Sequence, residues 1–111
     1  MNTITLVGRL TDHPDTRTVT GDKTVTTFRL AVDRLGSDST DYVSITCWNR
    51  TAEVTAEHLA KGRLVGIEGR LRHHEWTDDS GHRRERHDVL ANSVEFLDNP
   101  KKGGDHVDIE P

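Results

Sequence analysis

One cysteine in 111 residues leaves the chain without an internal disulfide. Cys47 therefore has to pack as a small buried hydrophobe, and the cytoplasm is the compartment such a chain suits. Aromatic residues are scarce as well: two tryptophans, one tyrosine and two phenylalanines make up 5% of the sequence. No apolar run approaches the roughly 20 residues that a membrane-spanning helix needs, so no membrane helix is expected. The N-terminal stretch has neither a basic lead nor a continuous apolar segment, so a signal peptide is not expected either. Cys-x-x-Cys, His-Glu-x-x-His and Gly-x-Ser-x-Gly patterns are missing, which argues against a metal, a cofactor or a catalytic centre. His73, His74, His82 and His87, with Glu75 nearby, come nearest to a ligand set. His73 and His74 are neighbours on a strand and point to opposite faces, so the histidines read as solvated hairpin residues.

A basic excess is also lacking. The net charge is −4, which at first argues against a nucleic-acid partner. Distribution qualifies the sum. Acidic residues concentrate in turn-like stretches (Asp12, Asp15, Asp38, Asp41, Asp78, Asp79) and near the C-terminus (Asp98, Asp105, Asp108, Glu110). Arginine supplies most of the positive charge, at Arg9, Arg17, Arg29, Arg34, Arg50, Arg63, Arg70, Arg72, Arg83, Arg84 and Arg86. An acidic chain can thus carry a basic face.

What is present is period-two patterning. Thr3 to Leu10 sets Ile4, Leu6, Gly8 and Leu10 against Thr3, Thr5, Val7 and Arg9, a first strand. Thr11 to Asp15 is a turn containing Pro14, and a short extended piece around Arg17 to Thr20 leads to the turn pair Gly21-Asp22. Val25 to Asp33 is a second strand, with Phe28, Leu30 and Val32 inward and Thr27, Arg29 and Ala31 outward. After a connection over Leu35 to Thr40, Asp41 to Trp48 forms the third. There Val43, Ile45 and Cys47 face the core, while Tyr42, Ser44, Thr46 and Trp48 share the outer face. The period then becomes helical: Ala52, Ala56, Leu59 and Ala60 predict a helix from about Thr51 to Lys61, with Gly62 as its C′ glycine. Val65, Ile67, Gly69 and Leu71 mark the inner face of a fourth strand whose outer face holds Arg70, Arg72, His74 and Trp76. Gly66 and Gly69 signal a bulge, a bend or a close approach. Thr77 to Gly81 is a hairpin turn. The fifth strand runs from His82 to Leu97, and its apolar parity slips between Ala91 and Val94, the sign of a bulge.

Five Gly-kinked strands with one helix between the third and fourth predict an all-β OB-fold, a Greek-key barrel, over residues 1–98. Residues 99–111 read as a short disordered polar and acidic tail. OB-folds take nucleic acid across strands two and three, where Tyr42 and Trp48 lie. Tyr42, Trp48 and Trp76 read as open stacking plates. Arg9, Arg29, Arg50, Arg70, Arg72, Arg84 and Arg86 read as phosphate contacts, an array suited to unpaired bases of any sequence. Two plainer readings stand beside this one. The aromatics can cover a protein contact, as in an OB-fold interaction module or a primosome-type accessory protein. Arg70 and Arg72 can pair with Glu68, Glu75 and Glu85 as a solvated face.

Ile4-Thr5-Leu6-Val7-Gly8-Arg9-Leu10, Asp41 to Trp48, Ala52-Glu53 to Leu59-Ala60-Lys61-Gly62, Val65-Gly66-Ile67-Glu68-Gly69-Arg70-Leu71 and Trp76 to Gly81 together resemble the bacterial single-stranded DNA-binding protein family. The resemblance covers about residues 1–98 in order and spacing. It implies sequence-independent binding of single-stranded DNA during replication, recombination or repair, in the cytoplasm at the nucleoid. It also implies a homotetramer assembled from dimers. By position, the family's stacking aromatics correspond to Tyr42 (usually tryptophan), Trp48 and Trp76. A further aromatic common before strand three has no counterpart in Leu35 to Thr40. Family members commonly end in a long Gly/Pro/Gln-rich linker and an acidic tip with a terminal phenylalanine. Here Asp105, Asp108 and Glu110 precede Pro111, so weak or absent recruitment of repair proteins through the tail is expected.

Overall fold

The chain forms six strands, all but one of them with alternating apolar side chains, in a computed structural model, which describes residues 1–98. They are β1 (Ile4–Leu10), β2 (Asp15–Val19), β3 (Lys23–Asp33), β4 (Thr40–Trp48), β5 (Leu64–Thr77) and β6 (Arg83–Phe96), with helix α1 (Asn49–His58) between β4 and β5. The sheet order is β1-β5-β6-β4-β3-β2, and β1 also pairs with β3, which closes the sheet into a ring. All neighbours are antiparallel except β4 and β6, which meet in parallel at Ile45–Val89 and Thr46–Leu90. This is the OB-fold that the strand order predicts.

The strand count is six rather than five. The short piece expected around Arg17 to Thr20 is a full partner of β3, with Asp15 opposite Thr27 and Val19 opposite Lys23. Its own residues are mostly exposed, so no apolar alternation marks it in the sequence. The helix also starts earlier and ends sooner than Thr51 to Lys61. Asn49 turns the chain out of β4 at φ 53, a conformation that asparagine tolerates better than most residues. At the other end Leu59 is extended (φ −98, ψ 148), which draws its side chain into the core at 5% exposure. Gly62 is therefore not the C′ residue. Its φ of 89 belongs to the following loop, where its N–H donates to the Leu10 carbonyl at 2.9 Å.

The barrel interior is filled by Leu30, Ile45, Cys47, Val65, Ile67 and Val89, all essentially inaccessible, with Ala52 of α1 capping one end. Each such aliphatic side chain contributes about 1.5–3 kcal/mol on burial. Burial raises the Cys47 thiol to about 11, so it stays protonated as a core side chain. The expected bulge is present: Glu68 pairs with Ser93 and Gly69 with Ala91, which leaves Asn92 as the extra residue on β6.

Beyond Leu71 and Val89 the β5–β6 hairpin leaves the barrel. Inner-parity positions are buried up to Gly69, but Leu71, His73 and Glu75 on β5 and His87 and Glu85 on β6 are exposed. The hairpin is thus a two-stranded arm with two solvent-facing sides. The expected tail, 99–111, lies outside the described residues.

Candidate functional site

Paired residues of neighbouring strands share a face, so the registers decide which side chains stand together. Arg29 pairs with Ser44 and Ala31 with Tyr42. Thr46 lies beside Leu90, and Leu90 pairs with Arg70. Farther along the hairpin come Asp88 opposite Arg72, Arg86 opposite His74 and Arg84 opposite Trp76. These rows form one continuous outer face across β3, β4, β6 and β5. Tyr42 is 56% exposed and Trp76 46%. The Arg29 guanidinium lies 4.8 Å from the centre of the Tyr42 ring, a cation–π contact that leaves the other face of the ring for a ligand.

Trp48 differs from the expectation of an open plate. It is half-buried at the far end of β4, opposite Val25, and lines a shallow recess with Val19, Thr20, Lys23 and Asn49. As the last residue before α1, it stands where the strand turns into the helix, which leaves its side chain only partly exposed.

The arginines divide into two groups. Among the described residues no carboxylate pairs with Arg29, Arg70 or Arg86, and all three are exposed on the outer face. Arg72, Arg84 and Arg9 have partners. Arg72 donates twice to Asp88, at 2.8 and 3.1 Å, and Arg84 donates to Asp78 at 2.8 Å. Arg9 shares the Ala31–Tyr42 row, but its guanidinium turns toward the Gly62 carbonyl at 2.9 Å and Asp98 at 3.5 Å. Arg50 sits in the first turn of α1, off the strand rows, beside Glu53. Pairing of Arg70 or Arg72 with Glu75 and Glu85 is ruled out by parity, since both glutamates occupy the opposite side of the arm. They hold Arg83 and His73 instead.

Asp88 was not expected and anchors the middle of this face. It is 1% exposed and accepts hydrogen bonds from Arg72, from the Thr46 hydroxyl at 2.8 Å and from His74 Nε2 at 3.1 Å. Burial alone would raise its carboxyl, but the bonds from Arg72, Thr46 and His74 outweigh burial and hold it at about 2. Its folded value is thus depressed, and its stabilisation is complete above the ordinary carboxylate range. That contribution is lost as pH falls from about 4 toward 2. Asp88→Asn is expected to destabilise by about 2–3 kcal/mol at neutral pH, because Arg72 loses its charged acceptor. Urea denaturation of both proteins should show this gap closing toward pH 2. A gap independent of pH would contradict the network. The cluster was one step out of reach of the sequence: counting outward from a Thr77–Gly81 turn sets Arg72 opposite Arg86, whereas the observed pairing of Thr77 with Arg83 sets it opposite Asp88.

The profile described as "Single-strand binding protein family" matches residues 1–97. The chain belongs to this family. "Single-stranded DNA-binding protein" of Caldanaerobacter subterraneus subsp. tengcongensis is 41% identical over 108 residues, covering 93% of this chain and 71% of that protein. "Single-stranded DNA-binding protein A" of Bacillus subtilis is 39% identical over 109 residues, covering 94% and 63%. "Single-stranded DNA-binding protein" of Thermotoga maritima is 38% identical over 104 residues, covering 87% and 74%. This member of the family therefore spans about two thirds of the length of those relatives. Among its described residues no helix is long and apolar enough to cross a membrane.

Proposed function

We propose that the chain binds single-stranded DNA without sequence preference and acts as a binding protein rather than an enzyme. The observation that carries this reading is the shared outer face of Tyr42 and Trp76, both open, with uncommitted Arg29, Arg70 and Arg86 on the same rows. Bases stack on the two rings whatever their identity, while the arginines draw the phosphates along the face. Trp48, half-buried, extends the surface at the far end of β4. Arg72, Arg84 and Arg9 give the face positive potential, but each must loosen a carboxylate before it contacts phosphate directly. Family membership supports a role in replication, recombination or repair, assembly into a homotetramer from dimers, and a place at the nucleoid. Residues 1–98 form the binding domain in this reading.

Tryptophan emission tests the reading directly. Oligo(dT) is expected to quench it, with Trp76→Phe removing much of the effect, and the affinity should fall as salt rises through counterion release. Emission unchanged at saturating oligo(dT) would mean that these rings cover a protein contact instead.

A further inference from the structure

The side of the β5–β6 arm opposite Trp76 carries a second constellation, which the binding of DNA does not use. His73 and His87 face each other across the two strands, and Glu75 and Glu85 form the next facing pair on that side. All four are exposed, since this is the core parity continued past the end of the barrel. His73 Nε2 lies 2.7 Å from Glu85 Oε1 and 3.7 Å from Glu75 Oε2. One ligand atom from each of the three residues falls within 4.8 Å of the others. The rings of His73 and His87 are 4.8 Å apart, centre to centre, and tilted by 35°.

We infer that His73, Glu75 and Glu85 form a site for a divalent transition cation of the zinc class, with the His87 ring beside it. An imidazole nitrogen with two carboxylate oxygens matches the donors and the low coordination number that zinc accepts, at about 2.0–2.2 Å. Magnesium and calcium take oxygen ligands, many of them water, so the imidazole of His73 is what favours a zinc-class cation over them. The charges point the same way. Two glutamates directly opposite on a ribbon repel each other. Among the described residues only Glu75 has a permanent cation beside it, Arg83, whose side chain is 76% exposed and free to swing away. A bound cation replaces that exposed pair and joins β5 to β6 midway along the arm. It also adds positive charge behind the face that holds Trp76, Arg84 and Arg86.

The test is calorimetric titration of the full chain with zinc chloride, and separately with magnesium chloride, while the histidine ring nitrogens are followed by NMR. Binding of one zinc per chain that shifts the His73 and His87 rings is expected, with no comparable binding of magnesium. The variant His73→Ala/Glu85→Gln changes only exposed side chains. It should lose at least the about tenfold in affinity that removal of even an outer-shell partner produces. His13→Ala, at the distant β1–β2 turn, should bind zinc as the parent does. Absence of saturable zinc binding, or equal affinity in the double variant, would overturn the assignment. So would equal binding of magnesium.

Discussion

Gly69→Ala is expected to destabilise the barrel by about 3 kcal/mol or more, at the upper end of what overpacking costs. An added Cβ would lie 2.0 Å from the Leu90 carbonyl oxygen, 2.9 Å from its carbon and 3.0 Å from Ala91 Cα. All three are backbone atoms of β6 beside the bulge, so no side chain can rotate to make room. Relief requires moving β6, and β6 also carries the Ile45–Val89 and Thr46–Leu90 contacts that tie β4 into the ring. Gly66→Ala, three residues earlier, is the internal control. Its nearest neighbour is Leu97 Cδ1 at 3.5 Å, an ordinary contact, so this change should be neutral or stabilise by up to about 1 kcal/mol. Urea denaturation of the two variants separates these outcomes. Equal stabilities would mean that β5 and β6 do not cross as closely as the bulge geometry requires.

The double variant Tyr42→Ala/Trp76→Ala is expected to lose about 30-fold or more in affinity for oligo(dT), since each base–aromatic stack contributes about 1–3 kcal/mol. Both rings are about half exposed and neither belongs to the core cluster, so the stability should change by no more than about 0.5 kcal/mol each. Trp48→Ala makes a poorer probe. That ring is half-buried against the start of α1, and its removal alters packing as well as any contact with ligand. Anisotropy of a labelled oligonucleotide measures the loss. Near-parental affinity in the double variant would leave the outer face without its assigned role.

Much of this was legible before any coordinates. Period-two alternation is imposed by burial on one face, so β1, β3, β4 and the barrel half of β5 declared their inner residues. The parity slip after Ala91 located the bulge. Where burial imposes nothing, the sequence was silent: β2 is exposed along most of its length and lacks alternation. The end of α1 was misplaced because Leu59 satisfies helical spacing and the barrel core equally well. At the outer face, parity identified the correct side for Tyr42, Trp76, Arg29, Arg70 and Arg86. It says nothing about depth or pairing. Trp48 has the same parity as Tyr42, yet it ends where the strand meets the helix, and packing covers part of it. Arg72 and Arg70 look alike in sequence, but only Arg72 faces a buried carboxylate across the hairpin.

The proposed function requires DNA to meet the outer side of the sheet. Backbone amide NMR shifts on addition of oligo(dT) measure this residue by residue. The expected changes concentrate at Arg29, Tyr42, Arg70, Trp76 and Arg86, with the side chain of Trp76 moving most. Changes confined to the opposite side of the arm, around His73 and Glu85, or to the exposed turns of the barrel, would contradict it.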